Sequence, residues 1–286
     1  MKKFGLVLSG GGARGLAHIG ILKVLEENGL YPDFITGASM GAIIGAIYVS
    51  GRTVSEMEDF VNNFVFGDVL DKKYPLYKLN LIEGKSRTSF MKYISIGVSL
   101  NSLVKKSFLD PGRKIQYLFK QLTGDKTFEE TKIPFACTAV DILTGRVAVL
   151  DKGKLYLAMR ASMSIPLVFE PVHYDNMLLV DGGVLSNAPV CVARKMGAEV
   201  VVAVDVNPPV KKKNEEELKG AFHMMWRISE ITLDGIYRRE LKEADYVVPA
   251  HVHLDTLDFS RNMEAVKIGE EAMRSNIKHI KELLEE

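Results

Sequence analysis

Two short apolar runs near the start of the chain each end in a glycine-rich turn, and each turn opens directly into helical patterning. Phe4-Gly5-Leu6-Val7-Leu8 leads through Ser9 into Gly10-Gly11-Gly12-Ala13-Arg14-Gly15, and Asp33 to Thr36 leads into Gly37-Ala38-Ser39-Met40-Gly41. A buried strand that hands over to a helix through a tight turn is the repeating unit of a mostly parallel sheet covered by helices. The chain is therefore expected to fold as α/β, with three layers (α/β/α) around a mostly parallel central sheet.

The periodicity fills in that frame. Ala17 to Asn28 carries Ile21, Leu22 and Leu25 on one face with Gly29 as its stop, which predicts a helix. Gly41 to Val49 is apolar on every side and predicts a helix buried on most of its surface. After residue 124 the spacing predicts strands at Pro134 to Val140, Arg146 to Leu150, Met177 to Val180 and Val200 to Val206. Helices are expected at Lys114 to Gln121, Met225 to Glu240 and about Arg261 to Leu284. The charged stretch Lys211 to Lys219 after Pro208-Pro209 reads as a solvated loop entering a helix. A single domain over residues 1–286 is expected, with a motif-bearing core at about 4–208 and a helical C-terminal extension at about 209–286.

Composition removes several function classes. A formal net charge of +1 gives no field that would favour nucleic acid or a polyanionic partner. The two cysteines, Cys137 and Cys191, stand in apolar surroundings and are expected as buried thiols, not as a disulfide or metal site. No metal-ligand cluster is visible, so a reaction without metal or cofactor, and independent of calcium, is expected. Met1-Lys2-Lys3 starts like a signal peptide, but the apolar run stops at Leu8, short of the roughly 7–15 residues such a segment needs. Ile35 to Val49 is too short to span a bilayer and is broken by glycines. A cytoplasmic protein is expected.

Gly37-Ala38-Ser39-Met40-Gly41 fits G-x-S-x-G, the strand-to-helix elbow that lifts a serine hydroxyl clear of its own backbone. Taken alone, it is equally compatible with a tight turn whose serine caps the next helix. The first glycine turn has two readings. It fits the dinucleotide fingerprint G-x-G-x-x-G, but the acidic residue required at the end of the second strand is missing, since Asp33 lies at that strand's beginning. Its alternative use is to present backbone N–H groups to the atom that the serine attacks, the minimum equipment for acyl transfer.

A serine nucleophile needs a base. His173, His223, His251, His253 and His279 follow it in the chain, but none carries the loop signals of a catalytic histidine, and His18 reads as a packed or capping side chain. Asp181-Gly182-Gly183 is more informative: it closes the apolar strand Met177 to Val180, which puts Asp181 at a strand's C-terminal end, where open α/β sheets gather ligands. An exposed D-G-G turn would read the same way.

In order along the chain, Gly10–Gly15, Gly37–Gly41, Ala161-Ser162-Met163-Ser164-Ile165-Pro166 and Asp181–Gly183 resemble the four motif blocks of the patatin-like phospholipases, over roughly residues 4 to 208. The resemblance implies a serine esterase of lipid metabolism and lipid degradation, with a Ser–Asp dyad in place of a triad. It carries over Ser39 as nucleophile, Asp181 as base, Gly10, Gly11 and Gly12 as oxyanion-hole amides, Arg14 as the residue holding that loop, Gly37 and Gly41 as the elbow glycines, and the Ala161–Pro166 block as pocket wall. The substrate it implies is a phospholipid or lysophospholipid, met by transient contact with a membrane surface. Compact length is similar to the short bacterial members. Two competing expectations are a regulatory or adaptor protein that keeps the fold with little turnover, and acyl transfer to an acceptor other than water.

From Gly51 to Gly124 aromatic residues are interleaved with lysines without a clean period. Most of it is expected to be a helical layer on the sheet. Lys72 to Lys106 is the candidate for a lipid-facing lid, with Lys72, Lys73, Lys85, Arg87, Lys105 and Lys106 reaching towards phosphate head groups.

Overall fold

The computed structural model describes residues 2–73 and 108–285. The chain alternates strand and helix from the start: β1 (Phe4–Leu8), α1 (Ala17–Glu27), β2 (Phe34–Ala38), α2 (Met40–Val49) and α3 (Val54–Asn62). After the undescribed stretch come β3 (Phe108–Asp110), α4 (Arg113–Thr123), β4 (Phe135–Asp141), β5 (Arg146–Leu150), α5 (Leu155–Ser162), β6 (Leu167–Phe169), β7 (Val172–Tyr174) and β8 (Met177–Asp181). The last part contains α6 (Val190–Met196), β9 (Val200–Asp205), α7 (Ala221–Leu241), β10 (Tyr246–Pro249) and α8 (Asn262–Glu285). Most of the proposed lid segment lies outside the described residues.

The main sheet has the order β10-β9-β1-β2-β4-β8-β7, with β5 also paired to β4. β10, β9, β1, β2 and β4 run parallel, while β5, β8 and β7 are antiparallel to their neighbours. The period of two sorts side chains between the faces. Leu6, Leu8, Val202 and Val204 enter one core with residues of α1, α2 and α8, whereas Val7, Val201 and Ala203 enter another with Val190, Ala193, Tyr237 and Leu241 from α6 and α7. The result is the expected three layers around a mostly parallel sheet.

α2 is buried along its whole length after Met40, as its all-round apolarity requires. The stretch after residue 209 supplies more than helices: β10 extends the sheet beside β9, and α8 packs along α1. Both cysteines are free, but only Cys137 is buried; Cys191 is exposed, because α6 turns it outward from the sheet. Among the described residues no helix is long and apolar enough to cross a membrane.

Candidate active site

Ser39 is the residue between β2 and α2. Its backbone sits at φ 50°, ψ −120°, a positive-φ conformation that an L side chain rarely adopts. The elbow closes only because its flanking glycines are bare. A Cβ at Gly41 would lie 2.0 Å from the Leu8 carbonyl oxygen, and one at Gly37 would lie 2.6 Å from the Gly41 carbonyl carbon. Although Ser39 occupies the N-cap position of α2, its side chain makes no capping bond. The hydroxyl instead donates to Asp181 Oδ2 at 2.7 Å. The capping reading of this serine is thereby set aside.

Asp181 reaches Ser39 by a route that differs from the sequence argument. β8 is antiparallel to β4, so its C-terminal end does not belong to the parallel edge. The length of β4 resolves the geometry. β4 pairs with β2 only over Phe135 to Thr138, and its other side is taken by β5 over Cys137 to Asp141. β8 must therefore use the side that β2 vacates, and it pairs there with Ala139 to Asp141. It runs back along the overhang of β4 and stops at Asp181, opposite Ala139, one step beyond the Ala38–Thr138 pair that ends β2. The two strand ends meet head-on, and Ser39 and Asp181 face each other across that joint.

The carboxyl group is desolvated. Asp181 is 5% exposed, and burial pushes its pKa up to about 6, against the opposing effects of the Ser39 hydroxyl and the Gly183 N–H, which donates to Oδ1 at 2.7 Å. At neutral pH it remains a carboxylate, but a more basic one than an aspartate in water. Ser162, within the third motif block, fixes the elbow from behind. Its hydroxyl accepts the Ser39 N–H at 2.9 Å and donates to the Thr138 carbonyl at 2.7 Å. Ser164 in the same block accepts the Asp181 N–H on its carbonyl at 2.9 Å.

The Gly10–Gly15 turn lies directly over the elbow: a Cβ on Gly10 would stand 3.0 Å from Ser39 Cβ. Its N–H groups are not equivalent. The Gly10 N–H is occupied by the Asn187 carbonyl at 3.1 Å and that of Ala13 by the Thr256 carbonyl at 2.8 Å, whereas among the described residues no acceptor takes those of Gly11 and Gly12. Arg14 bonds to the loop through Nε to the Gly11 carbonyl at 3.1 Å and makes a second bond to the Thr256 hydroxyl at 3.0 Å.

A cavity of about 410 Å³ opens beside the dyad. Ser39 and Met40 line one part of it, and Ile43, Ile47, Phe60, Phe119 and Leu257 make its walls, together with Met163 and Ile165 from the third block. The volume is that of a small-molecule pocket with a predominantly apolar interior. Among the described residues no histidine is hydrogen-bonded to Ser39 or Asp181. His18 Nε2 is 2.7 Å from the Ser9 carbonyl, and full burial pushes its pKa down to about 4, so it stays neutral.

A strained serine on an elbow, a buried carboxylate 2.7 Å from it and a glycine turn above make one constellation. Comparison with known proteins shows the family of the chain. The model of the patatin-like phospholipases matches residues 6–194. The chain belongs to the patatin-like phospholipase family. Patatin-like phospholipase domain-containing protein 6 of Homo sapiens is 34% identical over 209 residues, covering 70% of this chain and 13% of the relative. Lysophospholipase nte1 of Emericella nidulans is 30% identical over 211 residues, covering 72% of this chain and 12% of the relative. The chain thus spans only about an eighth of the length of these curated relatives. VipD from Legionella pneumophila superposes with a TM-score of 0.57 at 16% identity, over 98% of this chain and 67% of that one, and so shares the fold.

Within this patatin-like site, sequence reasoning missed Ser162 as the anchor of the elbow, and Asn187 and Asn207, whose side-chain amides both donate to the Gly10 carbonyl. A buried serine in an apolar helix end, Ala161-Ser162-Met163, is a weak signal for the first. The asparagines lie in loops, where that residue type is common for local reasons.

Proposed function

We propose that this chain is a serine esterase that hydrolyses fatty acyl ester bonds of phospholipids or lysophospholipids. The observation that carries the proposal is the 2.7 Å hydrogen bond to a desolvated Asp181 from the hydroxyl of Ser39, a residue that lines an apolar cavity. In the reaction, Ser39 Oγ attacks the ester carbonyl as its proton passes to Asp181 Oδ2. The tetrahedral oxyanion is met by the N–H groups of Gly11 and Gly12. Gly10 drops out of the expected donor set, because its N–H is already taken by Asn187. Collapse of the intermediate breaks the bond to the alcohol, which leaves with the proton from Asp181. Water, activated by the same carboxylate, then releases the fatty acid from Ser39.

The apolar cavity supports a fatty acyl chain as the group bound next to Ser39. Transient contact with a lipid surface is supported by a row of exposed apolar side chains on α7, Met224, Met225, Ile228 and Ile231, preceded by exposed Lys211 and Lys212. The direct test is fatty acid release from lysophosphatidylcholine and from phosphatidylcholine vesicles, compared between wild type and Ile47→Phe. The wild type is expected to release fatty acid. In the variant, filling the cavity should lower turnover of a long-chain ester roughly tenfold or more while sparing a butyryl ester. No release from any acyl ester by the folded wild type would refute the esterase reading. Equal losses on short and long chains would refute the cavity as the acyl site.

A further inference from the structure

We propose that Asn187 and Asn207 are positioning residues that set the direction of the Gly11 N–H by holding the carbonyl of Gly10. This rests on the esterase reading above. The Gly10 carbonyl oxygen accepts from Asn207 Nδ2 at 2.6 Å and from Asn187 Nδ2 at 3.3 Å. A carbonyl can only accept, so both amide nitrogens face it. The chain has no cis peptide bonds among its described residues, and across a trans peptide the carbonyl and the following N–H point in opposite directions. Two donors on the Gly10 oxygen therefore fix the orientation of the Gly11 N–H, which no acceptor takes among the described residues. Arg14 acts likewise on the next peptide, where its bond to the Gly11 carbonyl fixes the Gly12 N–H.

The fold brings these asparagines to the turn. β9 lies beside β1 with Leu8 opposite Val204, so the residues following the two strands, Gly10 and Asn207, emerge together. Asn207 is itself fixed at both backbone groups. Its N–H donates to Asp205 Oδ1 at 3.0 Å, and its carbonyl accepts from Arg238 at 2.6 Å. Asp205 is held in turn by the Tyr237 hydroxyl at 2.6 Å, by Arg238 and by His251 at 3.0 Å. Asn187 is anchored by Glu240, whose carboxylate accepts its N–H at 2.8 Å, that of Ala188 at 2.9 Å and the Ser186 hydroxyl at 2.6 Å. The inner half of α7 thus immobilises both loops that hold the glycine turn. The fit is tight: a Cβ on Gly10 would meet Asn187 Oδ1 at 2.3 Å. Satisfied networks of this kind fix one geometry, and oxyanion stabilisation depends on geometry set before the reaction begins.

The test compares a short-chain oxygen ester with its thionoester, whose carbonyl sulfur gains less from aligned N–H donors. Asn207→Asp and Asn207→Leu keep the side-chain size and remove the donor, and Asn187→Ala gives an independent reading on the same carbonyl. With melting temperatures measured alongside, the variants are expected to lose roughly 10- to 100-fold in kcat on the oxygen ester. KM should stay within about twofold, and the ester-to-thionoester rate ratio should shrink by about tenfold. Equal losses on both substrates, or no loss in any variant, would overturn the positioning role while leaving the esterase reading standing. A wild type that hydrolyses neither substrate would overturn that reading and this inference with it.

Discussion

Replacing Asp181 by asparagine is expected to cripple turnover and to stabilise the protein at the same time. The activity loss follows from removing the proposed base, the carboxylate that accepts the Ser39 hydroxyl, and should reach roughly 10²- to 10⁴-fold, the usual worth of positioned proton transfer. The stability gain follows from linkage. Burial raises the Asp181 pKa from its ordinary 3.8 to about 6, so the folded state holds the proton more tightly than the unfolded chain does. A folded-state pKa above the unfolded value contributes stability that is complete below the unfolded pKa and is lost as pH rises through the folded one. Above about pH 6 the ionised carboxylate therefore costs the wild type roughly 3 kcal/mol, which the neutral amide avoids. Thermal melts from pH 5 to pH 8 should show the variant's advantage growing with pH. The wild-type pH–rate profile should rise through about 6 and then level off. A variant that is equally or less stable at pH 8 would contradict a desolvated, ionised Asp181.

Ser39→Ala is expected to abolish hydrolysis, by roughly 10⁶-fold if the residue is the nucleophile. The loss should leave the backbone conformation untouched. Because alanine keeps the φ of 50° that the elbow imposes, it keeps the strain; glycine does not. Ser39→Gly should be equally inactive but more stable than Ser39→Ala by about 1 kcal/mol or more. Denaturant titrations of the two variants check this. Retained esterase activity in either one would remove Ser39 from the chemistry.

The parts of this fold that were legible in the sequence are those punctuated by glycine. β1, α1, β2 and α2 were placed to within one or two residues because each strand ends where glycine permits a turn, and the next helix begins there. Ser39 was legible for the same reason. Asp181 was found by its motif, but the argument from parallel strand ends did not apply. Strand direction depends on which edge of β4 is free, and that is decided by β5 and β2, not by anything local to Met177–Asp181. α3 went unrecognised among scattered aromatics, although Thr53 and Glu56 form a capping box that announces its start. Asn187 and Asn207 were illegible because what distinguishes them is distance to Gly10, across 177 and 197 residues of chain.

In the proposed reaction Ser39, activated by Asp181, forms a covalent acyl intermediate. The most direct measurement is to treat the folded protein with a fluorophosphonate probe and locate the adduct by peptide mass spectrometry. One adduct per chain is expected, on Ser39, formed much more slowly in Asp181→Asn and absent in Ser39→Ala. An adduct on another residue, or a folded protein that resists the probe, would contradict it.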